Sequence, residues 1–320
     1  MNIRTTFLQF TRAMSTALAL AAGFACAGAA PAAFAAPNVV ATTADLGAIA
    51  HAVCGTDATV SILARPGEDP HFVDARPSFL RVLNKADLLI EGGADLEEGW
   101  LPPLVNNARN AKIHPGASGR FAAAAEARIA LRDVPVTLDR SMGDVHAHGN
   151  PHFLLSPANA ALVARALAAR MALLDPANAD AFRARAARFA ADIETRVPGW
   201  KTRLSSLRGA NVITYHRSFD YMLDVFGMRL AGTIEPKPGI EPSGTHIVAL
   251  IEQARNSGTK LILVEPSRPS RLCERVAHGT GAPLARIPLM PDPPNVPDAY
   301  IRFFESIVTS MEKALPPSRQ

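Results

Sequence analysis

Cysteine is scarce in this chain: there are three in 320 residues, and only Cys54 and Cys273 lie beyond the first 36. Two cysteines so far apart in sequence make no disulfide scaffold, and spacing alone does not say whether they pair. An excess of one charge is lacking too. The formal net charge is +4, and the opening segment holds Arg4 and Arg12 but no acidic residue, which leaves +2 for the remainder. No basic block stands out, so the electrostatic footprint of a nucleic-acid binder is missing. Beyond the opening segment no apolar run is long enough to cross a bilayer. There is no short-period repeat, and no H-E-x-x-H signature of a zinc peptidase.

What is there begins with an export signal. Arg4 and Arg12 form a positive n-region, Ala17 to Ala30 are almost wholly small and apolar, and Ala33-Phe34-Ala35 offers an A-x-A cleavage site. Residues 1–35 are therefore expected to be a signal peptide that leaves an exported product of 285 residues. Cys26 lies inside this segment, but Gly23-Phe24-Ala25 before it makes a poor lipoprotein box, so lipid anchoring is not expected.

The exported part alternates strand and helix patterns. Val39 to Thr43 and Thr59 to Ala64 read as strands, Leu46 to Val53 as a helix capped by Asp45, and Pro77 to Lys85 as a helix opened by proline. Asp87 to Ile90 then returns to strand. This is the β-α-β-α-β order of a mainly parallel sheet. Residues 100–150 are less regular. Ala158 to Leu174 and Ala177 to about Ser206 read as helices, with Pro198 inside the second, where a kink or a restart is expected. The alternation then resumes: strands at Asn211 to Tyr215, Arg229 to Ile234, Leu261 to Val264 and Leu284 to Pro288, and helices at His246 to Ser257 and Ser270 to Thr280. Glu235 to Ser243 is too proline-rich for either state. The expected organisation is a first α/β domain over 36–176, a linking helix over 177–207 and a second α/β domain over 208–320.

Nine histidines carry the functional signal. His51, His114, His246 and His278 fall in helices, at a helix start or in a turn, and read as surface or capping residues. His71, in G-E-D-P-H-F, His152, in G-N-P-H-F, and His216, in V-I-T-Y-H, share a different setting. Each stands at a strand end or a loop-to-helix junction, where open parallel sheets bind their ligands. Their separations exclude a compact zinc finger. Three imidazoles would favour zinc over magnesium or calcium, which take oxygen shells; three separately satisfied histidines is the alternative.

These segments resemble a known family. G-E-D-P-H-F-V-D-A-R-P-S-F-L, K-A-D-L-L-I-E-G-G-A-D-L-E-E-G-W-L, G-N-P-H-F-L-L-S-P-A-N-A, V-I-T-Y-H-R-S-F-D-Y-M-L-D-V-F-G-M, T-I-E-P-K-P-G-I-E-P-S and L-I-L-V-E-P-S-R-P-S are similar, in order, to the zinc/manganese (cluster A-I) solute-binding proteins of metal ABC transporters. The similarity spans about residues 38–310. It implies two Rossmann-like α/β domains with central, mainly parallel sheets joined by a long helix, and a metal in the cleft between them. His71 and His152 would come from the first domain and His216 from the second. The cargo would be Zn²⁺, with Mn²⁺ the runner-up, captured in the periplasm by a monomer. Delivery would be to a membrane permease driven by a separate ATPase.

One departure stands out. The family's fourth ligand is commonly an Asp in an L-D-P-L-like segment, and that place holds Pro288 in R-I-P-L-M. Glu265, after the strand L-I-L-V, is the tentative substitute, and Asp292 is a second; Glu265 could equally bind backbone amides or an arginine. His146 and His148, in G-D-V-H-A-H-G-N, could form a short auxiliary loop or a solvated turn. Three histidines with an open position would also suit an exported zinc hydrolase, with Glu265 as base. The same fold could serve as a lipid-anchored adhesin, which would require lipidation of Cys26.

Overall fold

The computed structural model describes residues 35–135 and 146–316. Residues 1–34 of the expected signal segment, Cys26 included, and part of the Gly143–Gly149 loop lie outside the described residues.

The first sheet is built from β1 (Asn38–Ala41), β2 (Thr59–Ile62), β3 (Leu88–Glu91) and β4 (Arg120–Ala122), in the order β2-β1-β3-β4 and parallel throughout. Helices α1 (Ala44–Cys54), α2 (Pro77–Asn84), α3 (Leu101–Asn107) and α4 (Ala123–Glu126) accompany these strands. Val39, Val40, Leu88, Leu89 and Ile90 are all buried, because a parallel sheet is covered on both faces and its central strands carry apolar side chains on each.

Two long helices follow, α5 (Pro157–Leu174), with proline in its first turn, and α6 (Ala179–Arg203). Helix α5 is long and apolar enough to cross a membrane by length and composition. It carries Arg165 and Arg170, however, and it buries Val163, Leu167 and Met171 in the core. Helix α6 does not restart at Pro198 as expected; it runs through it for 25 residues. Pro198 and Gly199 are exposed and near the C-terminal end, so the lost N–H bond falls where water can reach the freed carbonyl.

The second sheet repeats the topology of the first. Strands β5 (Asn211–Thr214), β6 (Arg229–Thr233), β7 (Leu261–Val264) and β8 (Leu284–Arg286) pair in the order β6-β5-β7-β8, again all parallel. Helices α7 (Asp220–Phe226), α8 (Gly244–Asn256) and α9 (Ser270–Thr280) connect them. The last helix, α10 (Ala299–Ala314), turns back to the first half: the Tyr300 hydroxyl donates to the Leu154 carbonyl at 2.6 Å. One hydrophobic cluster accordingly runs from Val39 and Leu88 through Phe182 and Phe189 to Val212, Leu261 and Phe304, so the two sheets share a core.

Candidate metal centre

His71 is held by the turn after β2. The Asp69 carboxylate accepts from the His71 backbone N–H at 3.1 Å, and the Pro70 carbonyl accepts from the Trp100 indole at 3.0 Å. Glu68 caps the Arg65 N–H at 2.8 Å and pairs with Arg76 at the start of α2, which fixes the other end of the turn. His152 follows Asn150, whose side chain caps the His152 N–H at 3.0 Å and also donates to the Arg217 carbonyl at 2.9 Å. The Asn150 carbonyl accepts from the Tyr221 hydroxyl at 2.8 Å. Asn150 thus ties the second histidine loop to the half that carries the third. His216 stands two residues after the end of β5.

These three side chains come together. The ring centroids are 5.1 Å apart for His71 and His152, 5.9 Å for His71 and His216, and 5.6 Å for His152 and His216. One nitrogen from each lies within 4.8 Å of the others, and the Nε2 atoms of His71 and His152 are 3.2 Å apart. Tetrahedral Zn–N bonds of 2.0–2.1 Å require N···N edges of about 3.3 Å. One edge is already that length, and the others need a shift of at most about 1.5 Å.

Burial pushes the His71 imidazolium down to about 3, against the opposing pull of Asp69 and with help from His146, His216 and Arg268. Burial also drives His152 well below its ordinary value, and the neighbouring His71 and His216 add to the shift. Both rings are therefore neutral at physiological pH, the state that can donate a lone pair to a metal.

His216 has a partner that sequence reasoning missed. Its Nδ1 is 2.7 Å from Glu235 Oε2, and the other Glu235 oxygen accepts from the Gly239 N–H at 2.7 Å. A carboxylate on Nδ1 fixes the tautomer whose Nε2 is free for a metal. Nothing in E-P-K-P-G marks that glutamate in advance, since the turn after β6 is what carries it to His216.

Neither residue suggested for a fourth position joins the group formed by the three histidines. Glu265 is buried but accepts from the Ser218 hydroxyl at 2.6 Å and lies 3.3 Å from Arg268 Nε. Asp292 is exposed. The segment after β8 does come beside His152, where Leu289 and Met290 line a small cavity with it, but they bring only apolar side chains. Among the described residues the metal-competent group is the three histidines. His146 lies outside that group, its ring stacked on His71 at 4.9 Å, while the exposed His148 pairs with Asp95 at 2.9 Å. His51 and His278 lie within α1 and α9, and His246 in α8 faces the Thr233 carbonyl at 3.0 Å.

Two parallel α/β halves of one topology, with imidazoles from both meeting between them, define a metal-binding solute-binding protein. The chain belongs to the family described as zinc-uptake complex component A, periplasmic, whose model matches residues 39–314. It is thus a solute-binding component of a metal ABC transporter rather than an enzyme. The high-affinity zinc uptake system protein ZnuA of Yersinia pestis is 26% identical over 265 residues, covering 76% of this chain and 79% of that protein. Its namesake in Paracoccus denitrificans is 26% identical over 302 residues, covering 84% and 87%. Among solved structures, a ZnuA crystal structure aligns with a TM-score of 0.68 at 21% identity, covering 88% of this chain and 99% of the other. The manganese complex of FpvC from Pseudomonas aeruginosa aligns with a TM-score of 0.71 at 22% identity, covering 88% and 98%.

Proposed function

We propose that the protein captures Zn²⁺ in the periplasm with His71, His152 and His216 and delivers it to a membrane permease powered by a separate ATPase. The observation that carries this reading is the chemistry of the donor set: three imidazoles whose nitrogens converge, with no carboxylate oxygen in the group among the described residues. Nitrogen ligands suit zinc, whereas manganese prefers a shell richer in oxygen. The zinc-uptake names of the relatives support the same choice. Manganese stays the second reading because a related structure is named for a bound Mn²⁺. Residues 1–35 act as the export signal in this reading, and the mature chain works as a monomer. It divides as 36–176, 177–207 and 208–320, so that capture joins the two outer parts.

Competition against a chromogenic chelator tests the assignment. His71→Ala should weaken zinc binding by more than the roughly 10–100-fold typical for loss of an outer-shell partner. Unchanged affinity would sink the site as assigned, and tighter binding of Mn²⁺ than Zn²⁺ by the parent protein would overturn the choice of metal.

A further inference from the structure

His216 and His152 are held in different ways. Glu235 pairs with Nδ1 of His216, whereas the hydrogen bond made by the His152 ring among the described residues uses Nε2, towards His71. Once Nε2 gives its lone pair to an ion, the proton of a neutral imidazole sits on Nδ1. His152 is only 8% exposed, so that N–H needs an acceptor close by.

The turn from β1 into α1 offers one. Asp45 accepts from the Thr43 hydroxyl and, at 2.9 Å, from the Leu46 N–H, and both bonds fall on Oδ1. Its second oxygen, Oδ2, is left for another donor. Asp45 and His152 line the same small cavity, whose wall is otherwise largely apolar, with Leu154, Leu289 and Met290. The cavity holds about 20 Å³. A single water needs roughly 10–15 Å³, so there is room for one and not for two.

We propose that Asp45 is a positioning residue for the metal site, joined to His152 Nδ1 by one water in this cavity. The proposal rests on the three-histidine reading above and adds to it a residue that does not touch the ion. The water accepts from Nδ1–H and donates to Oδ2, which fixes the tautomer that turns a bare Nε2 towards the metal. At one water's remove, this repeats the direct pair of Glu235 with His216. Each half of the molecule then aims one of its own imidazoles with one of its own carboxylates.

Chelator competition on the full-length protein tests this through Asp45→Asn, which keeps an oxygen for Thr43 and Leu46. Zinc affinity should fall by about ten-fold, the low end for loss of an outer-shell partner. Added to His152→Ala, the same change should weaken binding no further, because its route to the metal is gone. A loss of equal size in both backgrounds would mean that Asp45 acts through the fold, and unchanged affinity in Asp45→Asn alone would also overturn the proposal. The parent protein gives a check that no variant's folding can blur. In a crystal structure of its zinc-loaded form, one water should lie within about 3.2 Å of both Asp45 Oδ2 and His152 Nδ1. A dry cavity, or Asp45 bound to zinc itself, would overturn the bridge. Unchanged zinc affinity in His152→Ala would instead overturn the three-histidine reading beneath it.

Discussion

At the scale of single residues, the three histidines depend on groups outside their own cluster. Glu235 holds His216 by Nδ1, so Glu235→Ala should lower zinc affinity by roughly 10–100-fold without unfolding the protein, read by the same chelator competition. Buried titratable groups make a second prediction, with two opposite signs. His71 is neutral in the folded protein down to about pH 3 but titrates near 6.5 when unfolded, so its contribution to stability is lost as pH falls through that interval. Glu97 behaves in the reverse way. Burial first, and the Glu91 charge next, raise its carboxyl to about 7 against hydrogen bonds from Thr42, Gly92 and Gly93. Its stabilising effect is full below about 4.5 and lost as pH rises to about 7. Thermal unfolding of the metal-free protein across pH should show His71→Phe flattening the acid limb and Glu97→Gln flattening the slope towards neutrality. The same slopes in parent and variants would refute both attributions. At this scale the three histidines were legible because each follows a strand or a turn breaker. Glu235 was not, since its contact with His216 arises only when the turn after β6 folds back on β5. Glu265 meets Ser218 and Arg268, and the arginine was one of the partners its strand-end position allowed.

The elements tell a similar story about length. Strands such as L-L-I-E and L-I-L-V could be read because buried parallel strands are continuous apolar runs. Strand β4 could not, since R-F-A has three residues and one buried side chain, too little to show a period. Helix α10 lies beyond the expected elements, although it buries Tyr300, Phe303, Phe304 and Ile307. Helix α6 shows the limit of a propensity argument, as proline sits where its cost falls on the solvent side. Gly199 beside it is exposed, and a Cβ added there meets nothing within 4 Å. Gly199→Ala should therefore raise stability by about 0.5–1 kcal/mol. Pro198→Ala should add more, up to about 3 kcal/mol, by restoring an interior helix bond. Chemical denaturation measures both, and a loss of stability in Gly199→Ala would mean that the helix end is held by contacts other than its own backbone.

For the molecule as a whole, the proposed ligands come from both halves, so capture and folding are linked. Zinc at about 1,000 times its Kd should stabilise the native state by roughly 4 kcal/mol, seen as a rise in Tm. His71→Ala and His216→Ala lie in different halves, yet each should remove most of that rise; if only one did, the ion would be held by one half alone.

The core shared between the sheets, together with the bond from Tyr300 to Leu154, bears on how fast cargo can leave. Swinging the halves apart would expose Phe182, Phe304 and their neighbours to water, and each large side chain so exposed costs about 1.5–3 kcal/mol. Wide opening is thus too expensive to serve as the everyday exit. If the three histidines hold the cargo, the exit that leaves this core intact is the turn at Asp69–Phe72, where the His146 ring stacks on His71. On that reading the protein would be emptied by whatever displaces those few side chains and would keep its shape.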